Sequence, residues 1–496
     1  MKRTMSTVAR FLAALSFGLA CTACSSMLAS LSNSINALNE KLSEGVEIVP
    51  VPADAKKTAP SAAVAQTPAR SAAAPAPAPA PGVRPATVRE FVGTPYTVLP
   101  AGTDGSVGKG GTYVLFGDWP QSIMAAGVTV DESQVAVAGA HTYFKGSDGA
   151  WYMKVMENKS SGYEGPNGFR YSDGTRVQTS YKKSCRYFKV EPIKWRVLTN
   201  NYNGSGKKLL LAEAALTNEQ FCETFGDHSH FEAVDGNRYA FTLDVTIRQL
   251  ENGTYIHHNN YEHSRLRAFL NGIAYIQGDD EIYRKGLKPY TRINEEFVGR
   301  GFLQTAFTPA LQGRIAVTTV DNSSRQNSGI DLVQGFTAVD RSLYDGTMYY
   351  EHGEEHKRVY FPKLTSSNTK DKVFVLSPKE VTRADYGFVK VPPKVTEENV
   401  MDKFWAGEQW RASETATTYK GLARPLTDFS RARGAAHFDD ETTTTWWLRT
   451  PVLPPYFHTL FSERLEQEAA GVNDFPTVFG MNVRSAAGVV PAICVN

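Results

Sequence analysis

From Thr112 onward, apolar residues recur in short runs, most with the two-residue period of a strand and few with the period of a helix. Strands are predicted at "TYVLF" (112–116), "IKWRVL" (193–198), "KLLLAE" (208–213), "RIAVTTV" (314–320), "KVFVL" (372–376), "TTTTWWLR" (442–449), "PTVFGM" (476–481) and "GVVPAICV" (488–495). In "IKWRVL", Ile193, Trp195 and Val197 share one face and Lys194 and Arg196 the other, so half-burial is expected. "KVFVL" is apolar on both faces and is expected at the centre of a sheet.

Turn and cap residues punctuate these runs. Ser147–Gly149 and Ser172–Gly174 are Ser-Asp-Gly triplets, in which Asp and Gly accept the positive φ of a tight hairpin turn. "HSRLRAFLNG" predicts a short helix that starts at Ser264, carries Leu266, Phe269 and Leu270 on one stripe and stops at Gly272. "SPKEVTRADYG" predicts a second, with Ser377 as cap, Pro378 in the first turn, Glu380 as its reciprocal partner and Gly387 at the end.

The N-terminal region reads differently. Lys2, Arg3 and Arg10 precede the apolar "FLAALSFGLA" and then "CTACSS", the order of a secretory signal, and the apolar run is too short to span a bilayer. "TACSS" resembles a bacterial lipoprotein cleavage box, and by that resemblance Cys24 is acylated, ending a signal over residues 1–24. Acylation of Cys21, or plain cleavage after Ala23 without lipid, are the competing readings. Leu28, Leu31, Ile35, Leu38 and Leu42 follow a 3-4-3-4 spacing, so residues 25–45 are expected to form an amphipathic helix, resting near a membrane surface or weakly self-associating through 28–42. Residues 46–94 are rich in Ala and Pro, with "AAAPAPAPAPG" at 72–82, and are expected to be a disordered stalk spanning on the order of 100 Å. Residues 95–496 are expected to form one globular α+β ligand-binding domain with long inserts, or two lobes.

Composition narrows the partners. With 42% hydrophobic and 11% aromatic residues, the chain is expected to fold, and 53 Lys plus Arg against 51 Asp plus Glu leave no field that would attract nucleic acid. Beyond Cys24, the cysteines are Cys185, Cys222 and Cys494, an odd number that a complete disulfide framework excludes.

"YVLFGDWPQS", "VEPIKWRVL", "NNYEHSRLRAFLNG", "GFLQTAFTPALQGRIAVTTVDN", "DKVFVLSPKEV", "TTWWLRTP" and "GVVPAICVN" occur in the order found in a bacterial domain of unknown function. By these blocks residues 113–496 resemble that family, which is common in secreted proteins of Gram-positive bacteria and in spirochaetal lipoproteins. More distantly, the C-terminal blocks resemble the C-type-lectin-like fold of the formylglycine-generating type, in which a Trp/Arg strand, a surface loop and a closing strand frame a ligand surface. The implied fold is α+β: a C-type-lectin-like mixed β-sheet domain with short helices and long loop inserts. Where the family usually has "GVRPA", this chain has "GVVPA", so an anion-pairing role for that arginine does not transfer to Val490.

Alternation in "TTTTWWLRTP" places Trp446 and Leu448 on one side and Trp447 and Arg449 on the other, and Pro451 carries the strand out into a loop holding Tyr456, Phe457 and His458. One reading makes Trp447, Arg449, Tyr456, Phe457 and His458 a contact surface. The other puts both tryptophans in the core and pairs Arg449 with a buried carboxylate. Candidate chemistry is sparse. "HGEEH" (352–356) has the H-x-x-E-H order of a zinc peptidase but is interrupted by Gly353 and flanked by strand-like sequence, so it is assigned to a hairpin. "YEGPNG" departs from a calcium-lectin motif by Gly165, Cys494 stands alone, and no phosphate loop or nucleophile elbow occurs. No metal or cofactor is expected.

The resulting expectation is a lipid-anchored, surface-exposed protein of a bacterial cell envelope that binds a host or envelope protein or glycan and performs no catalysis. A cell-envelope hydrolase acting on peptidoglycan or peptide, and a purely structural envelope protein, are the alternatives.

Overall fold

The computed structural model describes residues 87–100, 112–138, 141–157, 170–177, 184–222, 228–234, 237–243, 248–249, 251, 255–256, 259–279, 281–282, 285–287, 289, 291–323, 326, 347–352, 355–360, 367–394, 417–435, 443–452, 468–472, 478–482 and 485–496. They belong to one compact unit, Ala80–Asn496. Cys24, the 28–42 repeat, Tyr456, Phe457 and His458 lie outside the described residues.

The unit is mostly β-sheet with a few short helices. The strands of its two main sheets are β1 (Thr87–Glu90), β2 (Thr97–Val98), β3 (Tyr113–Ile123), β4 (Val130–Ala138), β5 (His141–Gly146), β6 (Trp151–Met156), β7 (Cys185–Thr199), β8 (Lys208–Ala212), β9 (Thr217–Gln220), β10 (Val373–Phe374), β11 (Trp446–Val452), β12 (Glu468–Val472), β13 (Val478–Asn482), β14 (Ala486–Val489) and β15 (Ala492–Val495). Ten form one sheet in the order β1-β4-β5-β6-β7-β8-β15-β10, with β3 on β7 and β2 on β3; five form the other in the order β13-β12-β11-β14-β9. The helices are α1 (Arg265–Asn271), α2 (Phe302–Ala306), α3 (Pro309–Gln312), α4 (Pro378–Val381) and α5 (Asp428–Ala432).

β7 is the spine of the larger sheet. It pairs with β6 along residues 185–189, with β3 along 188–196 and with β8 along 195–199. Its alternation buries Ile193 and Trp195, and the Trp195 indole N–H donates to the Phe116 carbonyl at 2.8 Å. The opposite face departs from the expected half-burial. Arg196 is only 7% exposed, because its guanidinium lies 5.0 Å from the centre of the Phe388 ring and donates to the Gly421 carbonyl.

The two sheets are joined by a ribbon that the sequence pattern does not announce. β8 pairs with β15 in the larger sheet, and the same two stretches of chain continue as β9 and β14 in the smaller one. "GVVPAICV" is therefore two strands, divided at Pro491, which has no N–H to offer a ladder. The ribbon stays continuous there through Ala212 N–H to the Pro491 carbonyl and Leu216 N–H to the Val489 carbonyl, both 3.0 Å. "RIAVTTV" is likewise shorter than expected: only Thr318–Val320 is a strand, paired with Thr369–Asp371.

Local signals fare well. Gly146 N–H donates to the Ala150 carbonyl and Tyr171 N–H to the Thr175 carbonyl, closing the two Ser-Asp-Gly turns. α1 is capped by the Ser264 side chain, which accepts from Arg267 N–H, and ends at Gly272 with φ +64°. α4 has the expected reciprocal cap, Ser377 Oγ accepting from Glu380 N–H while the Glu380 carboxylate accepts from Ser377 N–H. It stops at Val381 rather than running on to Gly387. The Thr382 hydroxyl donates back to the Pro378 carbonyl, Arg383 is extended, and a 3-10 turn, Ala384–Tyr386, completes the segment.

Gly272 is held in the left-handed region, and a Cβ there would collide with the Gln304 side-chain amide. Gly299 has a similar φ of +70° but open space around it. Gly299→Ala is therefore expected to cost about 1 kcal/mol from backbone strain alone. Gly272→Ala should cost roughly 1–2 kcal/mol more, read as a larger fall in the urea midpoint at unchanged slope.

Candidate functional site

β11 is the strand on which the sequence places its contact residues, and every side chain described on it is buried. Trp446, Trp447, Leu448, Arg449 and Thr450 are all 0% exposed. The strand is central in its sheet, with β12 antiparallel on one edge and β14 parallel on the other. Trp447 packs edge-on to Phe221 at 5.4 Å, and its indole N–H donates to the Glu219 carbonyl at 2.8 Å. The reading of Trp447 and Arg449 as solvent-facing contacts is thus corrected. Both belong to the framework, as the alternative reading of them held.

The backbone explains how Arg449 reaches the interior. Between Trp447 and Pro451 the pairing with β12 shifts register, three residues of β11 (448–450) standing against the one residue of β12 between Gly471 and Ala469. Such a bulge turns side chains away from their regular direction and frees the backbone from its ladder. Arg449 N–H accordingly donates at 3.0 Å to the Leu376 carbonyl, in the segment between β10 and α4.

The Arg449 guanidinium is then engaged almost completely. Nη1 donates to Glu380 Oε2 at 2.6 Å and to the Val375 carbonyl at 2.9 Å; Nη2 donates to Glu380 Oε1 at 3.0 Å and Nε to the Asp321 carbonyl at 3.0 Å. Glu380 is equally well served. It accepts from the Tyr202 hydroxyl at 2.6 Å and from Ser377 N–H at 2.8 Å in addition to the two arginine bonds. Burial alone would raise the Glu380 carboxyl, but the Arg449 charge and the hydrogen bonds from Arg449, Tyr202 and Ser377 outweigh it and hold the group below the ordinary glutamate range. Burial works against the charge on Arg449 too, and Glu380 more than offsets it, leaving the guanidinium a stronger base than usual. The Tyr202 hydroxyl is raised, first by burial and then by the Glu380 charge. None of the three exchanges a proton near neutral pH. The node is a clamp that fixes β11 in its sheet.

Among the described residues, the remaining sequence candidates are not brought together into a reactive centre. His352 and His356 sit on paired strands, Thr347–His352 and Glu355–Tyr360, with His352 opposite Glu355 and Glu351 opposite His356. The H-x-x-E-H order therefore runs across a hairpin pairing, whereas the zinc peptidase order needs one helical face. Cys185 is exposed and Cys222 and Cys494 are buried, and burial pushes the Cys494 thiol up to about 11, which disfavours the nucleophilic thiolate. Val490 lies in the apolar core. "YEGPNG" lies outside the described residues. Among the described residues, no three His, Cys, Asp or Glu side chains are grouped as metal ligands.

Removing one partner of a buried pair leaves the other charge without compensation. Glu380→Ala or Arg449→Ala is expected to destabilise the unit by about 3–5 kcal/mol, while the double change Arg449→Met with Glu380→Leu recovers much of it. Chemical denaturation read by tryptophan fluorescence checks this. The sign of the pH dependence follows from the lowered Glu380 value. Its stabilisation is complete above the ordinary value of 4.5 and is lost as pH falls through the depressed folded value, so the acid limb of the wild type should be steeper than that of Glu380→Gln.

Residues 347–496 match the family model of a domain of unknown function, DUF6273. The match begins well after residue 113, where the resemblance in the blocks starts; it takes in Glu380 and Arg449 and leaves Tyr202 and β1 to β9 upstream. No curated protein and no solved structure matches the chain. A domain of unknown function, DUF6273, is thus found at residues 347–496.

Proposed function

We propose that the chain is a lipid-anchored, surface-exposed protein of a bacterial cell envelope, whose β-rich domain has a C-type-lectin-like arrangement and presents residues 453–467 to a protein or glycan partner, without catalysis. The observation that carries this reading is the attachment of that connection. It leaves β11 immediately after the buried Arg449 node and re-enters at β12, whose pairing with β11 brings Val452 opposite Glu468. Both ends are thereby set by the framework, so less freedom is left to be lost when a partner binds. The connection carries Tyr456, Phe457 and His458, and rigid aromatic side chains contribute a large share of binding energy at interfaces. The near-balanced charge favours a protein or glycan over a polyanion.

The anchor rests on "TACSS" and the Ala/Pro-rich stretch that follows it up to β1, where the expected 46–94 stalk already gives way to the sheet. Metabolic labelling with palmitate in a bacterial host is expected to mark the wild type and not Cys24→Ser. Label retained by Cys24→Ser would move the anchor to Cys21, and an unlabelled wild type would remove it.

Contact through the connection is tested on a glycan and matrix-protein array with the purified chain and the triple variant Tyr456→Ala, Phe457→Ala, His458→Ala. A loss of signal of roughly tenfold or more is expected for a cluster of anchor residues. Equal signal from both proteins would take the connection out of the binding surface.

A further inference from the structure

The buried arginines of this chain are not alike. Arg449 is closed by Glu380, and the half-buried Arg267 is likewise closed by Asp371, to which its Nε donates at 2.9 Å and its Nη2 lies at 2.8 Å. Arg424 is 3% exposed and has no such carboxylate. Its Nη1 donates to the Gly421 carbonyl at 2.9 Å and the Ala423 carbonyl at 3.0 Å, which fixes the plane of the guanidinium. Its Nε and Nη2, the two donors along the adjacent edge, have no hydrogen-bond partner.

Arg196 stands beside it. Its Nη2 donates to the same Gly421 carbonyl at 3.2 Å, while its Nε lies 3.4 Å from Glu213 Oε1 without forming a hydrogen bond. Two guanidinium groups and one carboxylate give the cluster a net charge of +1. Glycine is built into its wall: a Cβ at Gly421 would lie 3.0 Å from the Gly387 carbonyl and 3.3 Å from Arg196 Nη1. The chain that carries Arg424 runs close to the surface, for Gly421 and Ala423 are half-buried and Pro425 is exposed.

We propose that the Nε/Nη2 edge of Arg424, with Arg196 beside it, is a binding site for a single carboxylate group. A planar carboxylate matches two parallel N–H donors, and one negative charge balances the cluster. A phosphate dianion fits less well, because it brings a second charge toward Glu213 and more acceptor oxygens than the two open donors can serve. The Arg424 base is also weakened, pushed down to about 9 by burial and then by Arg196, as expected of a buried cation lacking a counter-charge. The site is independent of residues 453–467; the sources that share this chemistry are a small free acid and the C-terminus of a peptide.

The full chain is titrated at pH 7 with sodium acetate against sodium chloride at constant ionic strength, following the melting temperature and the line width of carboxyl-labelled acetate. A saturable rise in melting temperature and broadening with acetate are expected, both absent in Arg424→Met, with affinity lowered about tenfold or more in Arg424→Lys, which lacks the planar two-donor edge. Diglycine compared with its C-terminal amide separates the sources: a response to diglycine and none to the amide assigns a peptide terminus, and a response to acetate alone assigns a small acid. Equal effects of acetate and chloride, a stronger response to phosphate than to acetate, or a response that survives in Arg424→Met overturns the proposal. If Arg424→Met does not fold, the Arg424→Lys comparison and the wild-type anion series decide it, and unchanged acetate affinity in Arg424→Lys counts against the site.

Discussion

One buried ion pair gathers the segments of this domain. Arg449 and Glu380 meet with no exposed surface on the arginine, and the groups that complete their hydrogen bonds come from Tyr202, Asp321, Val375 and Ser377. A charge in this setting is tolerable only when nearly every donor and acceptor has a partner. The requirement works as a constraint on assembly. The 3-10 turn at Tyr202, the segment after Val320, the start of α4 and the bulge of β11 must all be in place together, since a missing member leaves a desolvated charge. Such a node contributes more to the uniqueness of the arrangement than to its net stability.

The same chemistry recurs around α1. Arg267 ties the helix to Asp371, and Arg265 ties it to Glu219 on β9 and to Glu296. Asn271, at the end of the helix, acts as a short strand edge: its Oδ1 accepts from Lys372 and Val373 N–H, and its Nδ2 donates to the Val373 carbonyl. α1 is seven residues long and would not hold together alone in water. Its polar side chains let it serve as a rivet between β9 and β10. Against these closed pairs, the open edge of Arg424 is a departure from how this chain otherwise handles buried charge.

What the sequence made legible was local. Ser264, Gly272, Ser377 and Glu380 are cap residues whose signals span one helical turn, and each sits where its cap chemistry requires. The two Ser-Asp-Gly turns are legible for the same reason. The burial of Trp447 and Arg449 was less so, although "WWL" is apolar on successive positions, the pattern that marked "KVFVL" as buried on both faces. Arg449 suggested solvent, and nothing local discloses that its partner lies 69 residues upstream. Glu380 was recognised as a cap and missed as an ion-pair partner, because one carboxylate performs both roles. The split of "GVVPAICV" between two sheets was marked only by Pro491, and Arg196 read as exposed because the Phe388 and Gly421 segments that cover it arrive from far along the chain.

The family match from 347 to 496 does not correspond to a separable body in this chain. β8 fills the place between β7 and β15, and β9 closes the edge of β14, so the matched segment shares both sheets with residues 208–220. Removing those residues would strip β14 and β15 of a neighbour and expose the ladders of two strands whose side chains are almost all buried. It would also take away the Glu219 carbonyl from Trp447, and a cut extended back to Tyr202 would take that hydroxyl from Glu380. The C-terminal segment therefore needs a complementary ribbon, which this chain supplies from its own upstream half. The consequence reaches the connection between β11 and β12. β11 and β12 stand in a sheet that is complete only when residues far outside the matched segment are folded against it, so the framework at the two ends of that connection is a property of the whole unit.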